Sequence, residues 1–232
     1  MPHRIAIYFA PDAASPLWRK AAEWLGRDAL GGAVPAGDIG GIARAELGEK
    51  SASARRYGFH ATIKPPMALA DGKSEAELAA ALTAFAAGHG PVSLGPLKLA
   101  RLDGFLALVP AAQPQALTDF AAGVVEAFEP WRAPVSAADK AKRNASGKLS
   151  ARQLELLDRY GYPYVMEQFQ FHMTLTDRLP PADQERFEAA ALGHFGDLAT
   201  AETVLDRLVL FHEPAAGAPF TRGAEFMLKG AA

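Results

Sequence analysis

The sequence predicts an α+β fold with antiparallel sheet, arranged as one bilobal domain over residues 1–232. Three observations predict it. Paired strand-like runs are mixed with dispersed amphipathic helices, the pattern of α+β architecture. The length of 232 residues exceeds what one small domain needs and falls short of two large ones. One short motif also recurs once in each half of the chain.

The elements follow in order. Residues 4–10 alternate as a first strand, with Ile5, Ile7 and Phe9 on one face and Ala6 and Tyr8 on the other. Residues 16–30 read as a helix whose apolar stripe holds Leu17, Ala21, Trp24 and Leu25. Glycines and prolines at Gly31, Gly32, Pro35, Gly37, Gly40 and Gly41 make 31–41 a loop. Residues 57–64 read as a strand that Pro65 and Pro66 terminate. Ser74, with Glu77 three residues on, is a capping box opening a helix to about Ala87. Strands at 91–99 and 103–109 meet at the turn Leu102-Asp103-Gly104. Residues 114–128 are helical, with Leu117, Phe120, Val124 and Phe128 in register. Two more helices, Ser136–Lys142 and Ser150–Tyr160, are separated by Asn144-Ala145-Ser146-Gly147. A strand at 168–176, a helix from Asp183 to His194 and strands at 203–212 and 220–228 complete the chain. The polar, basic stretch 129–150 is expected to join motif-bearing halves at 1–128 and 151–232.

Composition narrows the function. Lysine and arginine total 24 against 26 aspartates and glutamates, a net charge of −2. Duplex binding relies on neutralising phosphates, so this balance disfavours a strongly basic nucleic-acid binder. The chain has no cysteine, which excludes disulfides, thiolate nucleophiles and Cys-type metal centres. The apolar run near the N-terminus is short and closed by Pro11 and Asp12, too brief for a secretory signal, and no stretch has the length of a membrane span. A cytoplasmic location is expected.

The repeated motif is Phe59-His60-Ala61-Thr62-Ile63 and again Phe171-His172-Met173-Thr174-Leu175. Side chains at i and i+2 share one face of a strand. His60, Thr62 and Lys64 are therefore expected on one face, and His172, Thr174 and Thr176 on the equivalent face of the second copy. If the halves pack pseudosymmetrically, two imidazoles and two hydroxyls converge. In-line displacement at phosphorus needs a base behind the nucleophile and an acid behind the leaving oxygen. Two imidazoles of pKa about 6.5 serve both roles near neutrality. The hydroxyls donate to non-bridging oxygens, and Lys64 adds positive charge where negative charge develops. A single His-x-Thr in a strand is common and more often structural; the second copy is what gives the pattern weight.

With these motifs the chain resembles the 2H phosphoesterase superfamily, named for paired His-x-Thr/Ser motifs and including RNA 2′,3′-cyclic phosphodiesterases and 2′-5′ RNA-ligase-like proteins. It is most similar to a bacterial branch associated with phosphonate-metabolism operons, the DUF1045-type proteins. The resemblance rests on Arg4–Pro11, Pro16–Ala29, Arg56–Pro66 and Tyr160–Leu179. It implies two pseudosymmetric antiparallel lobes with outer helices around a central cleft. It also implies metal-independent chemistry, without cofactor, on a cyclic phosphate or phosphodiester. His60 and His172 are then the acid/base pair, and Thr62 and Thr174 the phosphate-orienting hydroxyls.

Further residues carry two readings each. Tyr8 either lines the cleft or packs the sheet. Arg56, next to Tyr57, is either a phosphate clamp through its fork of donors or a surface arginine beside Arg55. Tyr160, Tyr162 and Tyr164 either stack a base or sugar, Tyr162 being the substrate-binding candidate, or plug the space between lobes. The run Lys140, Lys142, Arg143 and Lys148 is either a solvated face or a flap carrying cations toward an anionic substrate. His3, His89, His194 and His212 lack the repeat and read as structural or surface residues. The expected partner is a small phosphorylated sugar or nucleotide-like molecule. An RNA 2′,3′-cyclic end is the second candidate, and binding of a nucleotide without turnover is the third.

Overall fold

A computed structural model of the chain describes residues 4–145 and 147–230; His3 and Ser146 lie outside them. Eight strands form one sheet: β1 (Arg4–Phe9), β2 (Ala61–Met67), β3 (Val92–Leu102), β4 (Phe105–Pro110), β5 (Met173–Thr174), β6 (Glu202–Leu205), β7 (Arg207–Glu213) and β8 (Thr221–Met227). Their order across the sheet is β6-β3-β4-β5-β2-β1-β7-β8, and every neighbouring pair is antiparallel. The α+β class with antiparallel sheet holds.

The helices are α1 (Pro16–Leu25), α2 (Arg44–Lys50), α3 (Ala52–Tyr57), α4 (Glu75–Ala87), α5 (Gln115–Ala127), α6 (Ala137–Arg143), α7 (Ala151–Tyr160) and α8 (Pro181–Phe195). α5 lies against β2 and β3, α4 against β7 and β8, and α1 against α8. The capping box at Ser74 and Glu77 is present, and Ser150 with Gln153 makes a second one at the start of α7. The core is continuous across the sheet, with Phe9, Trp24, Phe171, Phe187 and Phe211 fully buried. No helix among the described residues is long and apolar enough to cross a membrane.

Several boundaries differ from expectation, each for a local reason. α1 stops at Leu25 because Gly26 adopts the left-handed conformation, with φ 63°, that ends a helix. Pro65 and Pro66 do not end β2. The strand runs on to Met67 across a register shift opposite Ile5 and Ile7, where the prolines' missing N–H groups cost no ladder bond. The strand expected at 168–176 shrinks to Met173–Thr174, and the one at 203–212 breaks at Asp206.

The two sides of the sheet are not residues 1–128 and 151–232. β1, β2, β7 and β8 form one side, and β3, β4, β5 and β6 the other. Antiparallel pairing of β7 with β1 carries the C-terminal strands back to the N-terminal one. The stretch 129–150 is likewise not a free connector. The Ala70 N–H donates to the Trp131 carbonyl and the Ala133 N–H to the Ala68 carbonyl, which tie its start to the end of β2.

Candidate active site

His60 and His172 immediately precede β2 and β5, which are neighbours in the middle of the sheet. Ala61 pairs with Met173. Continuing that antiparallel register by one residue each way sets His60 opposite Thr174 and Thr62 opposite His172. The two histidines are then diagonal neighbours, a relation in which Cβ atoms lie somewhat closer than about 7–8 Å.

Both rings are oriented by the backbone. His60 Nδ1 lies 2.9 Å from the Gly58 carbonyl and His172 Nδ1 lies 2.8 Å from the Gln170 carbonyl. A carbonyl only accepts, so each neutral ring carries its proton on Nδ1 and presents Nε2 as the basic atom. The Thr62 hydroxyl sits 3.2 Å from His60 Nε2. Gly58 is required where it is. Its φ is 79°, and a Cβ there would come within 2.9 Å of Ala29 Cβ. Gln113 steadies the second motif from both sides, donating to the Phe169 carbonyl at 3.0 Å and accepting from the Phe171 N–H at 2.8 Å.

Burial pushes the His60 imidazolium down to about 4, and repulsion from His172 adds to the shift, while the Gly58 carbonyl opposes it. Burial also lowers His172 below the usual histidine value, against the favourable Gln170 carbonyl. Tyr8 closes the site from beneath. Its ring stacks on His60 with centroids 3.7 Å apart and planes 17° from parallel, and burial raises its phenol well above the ordinary tyrosine range. Tyr8 is therefore buried in the sheet and meets the site through its ring, packed against the imidazole.

Tyr57 lies 6.2 Å from the His60 ring and stacks on Phe220 at 4.9 Å. Arg56 lies beside it, 5.1 Å from the Tyr57 ring, and its guanidinium is paired with the buried carboxylate of Glu213. Arg4 binds the other oxygen of the same carboxylate at 2.5 Å. Arg56 is thus neither a free clamp nor a plain surface residue: one acidic side chain holds two guanidiniums at the rim of the site. Tyr162 is half-buried, with the Arg143 guanidinium 5.4 Å from its ring centre. Tyr160 belongs instead to a small core with Val125, Leu156 and Val165, and Tyr164 is exposed. Arg4 and Glu213 escape sequence reasoning, because residues 209 positions apart leave no local signal of their pairing.

Lys64 does not join the histidines. The register shift in β2 sets it opposite Ile7 while Thr62 stays opposite Tyr8, so the simple i, i+2 rule fails between them. Its ammonium is buried, donating to the Val125 carbonyl at 3.0 Å and to Glu129 at 2.8 Å. Thr176 is also diverted, accepting from the Leu106 N–H at 2.9 Å. His89 stacks on Phe85, His194 meets the Lys20 carbonyl and His212 meets Glu75. A cavity of about 870 Å³ lies between the end of α4, β3 and α5 and contains neither motif. Among the described residues no group of three or more His, Asp or Glu side chains is arranged to hold a metal ion.

The chain is 38% identical, over 98% of its length, to a protein named ribose 1,5-bisphosphate phosphokinase PhnN from Janthinobacterium sp. (strain Marseille). It is 39% identical, over 94% of its length, to one of the same name from Laribacter hongkongensis (strain HLHK9). It spans only 51% and 50% of those proteins, about half of each. Among solved structures it is similar to E. coli LigT complexed with 3′-AMP, at 13% identity and a TM-score of 0.45, covering 98% of this chain and 99% of that one. A structure described as a phosphoesterase is similar at 15% identity and a TM-score of 0.45, with coverage of 98% and 99%. The model of the family described as "protein of unknown function (DUF1045)" matches residues 62–221, a stretch holding Thr62 and the whole second motif, and the chain belongs to that family.

Proposed function

We propose that this chain is a metal-independent phosphoesterase that opens a cyclic phosphodiester on a small sugar or nucleotide-like substrate. The observation that carries the reading is the pair of imidazoles, each with Nδ1 fixed by a carbonyl and each diagonal to the other across adjacent strands. One Nε2 removes a proton from water attacking phosphorus. The other returns a proton to the ring oxygen as the P–O bond breaks. Thr62 and Thr174 donate to the non-bridging oxygens. His60, held more firmly neutral, is the base, and His172 is the acid.

The relatives' names support a ribose phosphate as the sugar. Water attack at phosphorus with loss of the 2-oxygen from a 1,2-cyclic phosphate leaves the phosphate on carbon 1. In this reading the kinase activity in those names belongs to the part of the relatives that this chain does not span. This sequence holds no Gly-x-x-x-x-Gly-Lys-Ser/Thr phosphate loop.

The test is a screen of ribose and nucleoside cyclic phosphates and short cyclic-ended RNAs, with the product phosphate placed by phosphorus NMR. Turnover of a small cyclic phosphate that persists in excess EDTA is expected. Activity abolished by the chelator and restored by one divalent ion, or a strong preference for the RNA, overturns the reading.

The pH profile follows from the two lowered imidazoles. The base must be neutral, so activity rises through about 4, the His60 value. The acid must be protonated, so activity falls again as pH climbs through the His172 value, which lies below 6.5. The profile of kcat/KM in the free enzyme should therefore be bell-shaped with its maximum on the acid side of 6.5, and both limbs belong to the coupled pair. A maximum above pH 7.5, with no loss between 6.5 and 7.5, contradicts this assignment.

A further inference from the structure

The basic stretch after residue 129 contains one arginine whose position the acid/base chemistry does not use. Arg143, at the end of α6, is half-buried, and among the described residues it forms no ion pair. Its guanidinium lies against Tyr162, 5.4 Å from the ring centre. Arg143 and Arg4 together line a cavity of about 370 Å³ between the end of β2 and the segment 132–143. Arg132 lines the same cavity, but its guanidinium is spent on Glu129 and on the carbonyls of Ala133 and Arg159. Asp139 stands at the rim with its carboxylate held by the Ser136 hydroxyl at 2.7 Å.

Charge accounting favours an anion here. Glu213 is shared by Arg4 and Arg56, so those three groups carry one net positive charge. Arg143 adds a second, and Asp139 at the rim offsets part of it. Burying a guanidinium away from water with no carboxylate in ion-pair contact is unfavourable, and the same desolvation lowers its pKa while Asp139 opposes the shift. An incoming anion relieves that cost. A phosphomonoester, with about −1.5 to −2 charges at neutral pH, matches the excess and suits the planar fork of an arginine. Arg4, on the wall of this cavity, lies 5.8 Å from the Phe220 ring, which stacks on Tyr57 beside His60, and the sugar that separates the two phosphates would lie along that aromatic path.

We propose that Arg143 and Arg4 form a second anion subsite of the cleft, taking a phosphomonoester that the substrate carries apart from its cyclic phosphate. The preferred substrate is then doubly phosphorylated, for instance a ribose 1,2-cyclic phosphate bearing a 5-phosphate. The inference deepens the phosphoesterase reading and rests on it for the cyclic end alone.

Two measurements test it and separate its failure from that of the reading beneath it. The first compares kcat/KM for ribose 1,2-cyclic phosphate with and without a 5-phosphate. The wild-type preference for the 5-phosphorylated form should fall by about 10–100-fold in Arg143→Gln, the scale of charge-assisted hydrogen bonds, and Arg143→Lys should restore part of it. A loss equal on both substrates, leaving the ratio unchanged, overturns the subsite and marks Arg143 as a support for Tyr162. The second is calorimetric binding of ribose 5-phosphate, which needs no turnover. Affinity should drop at least tenfold in Arg143→Gln and persist in His60→Ala. The reverse pattern, loss in His60→Ala alone, places the phosphate at the histidines and overturns the proposal even if no cyclic phosphate is turned over.

Discussion

Replacing His60 or His172 by alanine is expected to lower kcat/KM for a cyclic phosphate by about 10²–10⁴-fold, the usual contribution of a positioned acid or base. Each substitution removes one Nε2 and leaves the other correctly oriented by its own carbonyl. The double variant should lose little more than the worse single one, because the two groups act as a unit in one displacement. Thr62→Val and Thr174→Val should cost less, since each removes a hydrogen bond and no proton carrier. Circular dichroism and thermal unfolding must accompany the kinetics, because His60 stacks on the buried Tyr8 ring. A folded single variant with wild-type turnover sinks the acid/base assignment.

Glu129→Ala is expected to cost about 3 kcal/mol of stability, the lower end of the range for breaking a buried ion pair. Lys64 is the reason. Its ammonium is 1% exposed, and burial pushes its pKa below that of ordinary lysine while Glu129 pulls the other way. The Val125 carbonyl it also contacts lies in the last turn of α5, where the helix dipole favours a cation. Without Glu129 the charge stays buried with carbonyl contacts only, and Arg132 loses its partner too. Glu129 is partly exposed, which is why the lower end of the range applies. Urea unfolding at pH 7 measures the loss. Lys64→Met, which removes charge and keeps volume, should retain turnover within about threefold if the residue serves the α5 junction. A hundredfold loss of kcat/KM in that folded variant returns Lys64 to the cleft.

The parts of this protein legible in its sequence are those written in short-range chemistry. Ser74 and Glu77 announce α4, and Asp103-Gly104, with φ of 48° and 88°, announces the β3–β4 turn. The duplicated His-x-Thr motif announces itself, and its two copies do lie on neighbouring strands. What escaped depends on partners far along the chain. The shift that turns Lys64 away from Thr62 exists only because β2 must pair with β1 around two prolines. Arg56 reads as a clamp until Glu213 is placed against it. The short helices α2 and α3 carry few apolar residues, and only Leu47 and Ala54 of them are buried, so no periodic stripe marks them. Strand β5 is only two residues long, since its neighbours β4 and β2 meet it over Ala107, Leu108 and Ala61 alone.

The central place of β1 has a consequence for how the molecule is made. It hydrogen-bonds to β2 on one side and β7 on the other, and the bond from Arg4 to Glu213 spans 209 residues. At synthesis rates of about 5–20 residues per second, the first strand waits roughly 10–40 s for its second partner to leave the ribosome. Loops of that length close late, and long-range antiparallel pairing folds slowly. Until that partner emerges the nascent chain carries an open, apolar strand edge, Ile5 to Phe9, of the kind that recruits chaperones or other chains. Only the arrival of the β7–β8 hairpin seals that edge and completes the sheet on which Tyr8 and His60 stack.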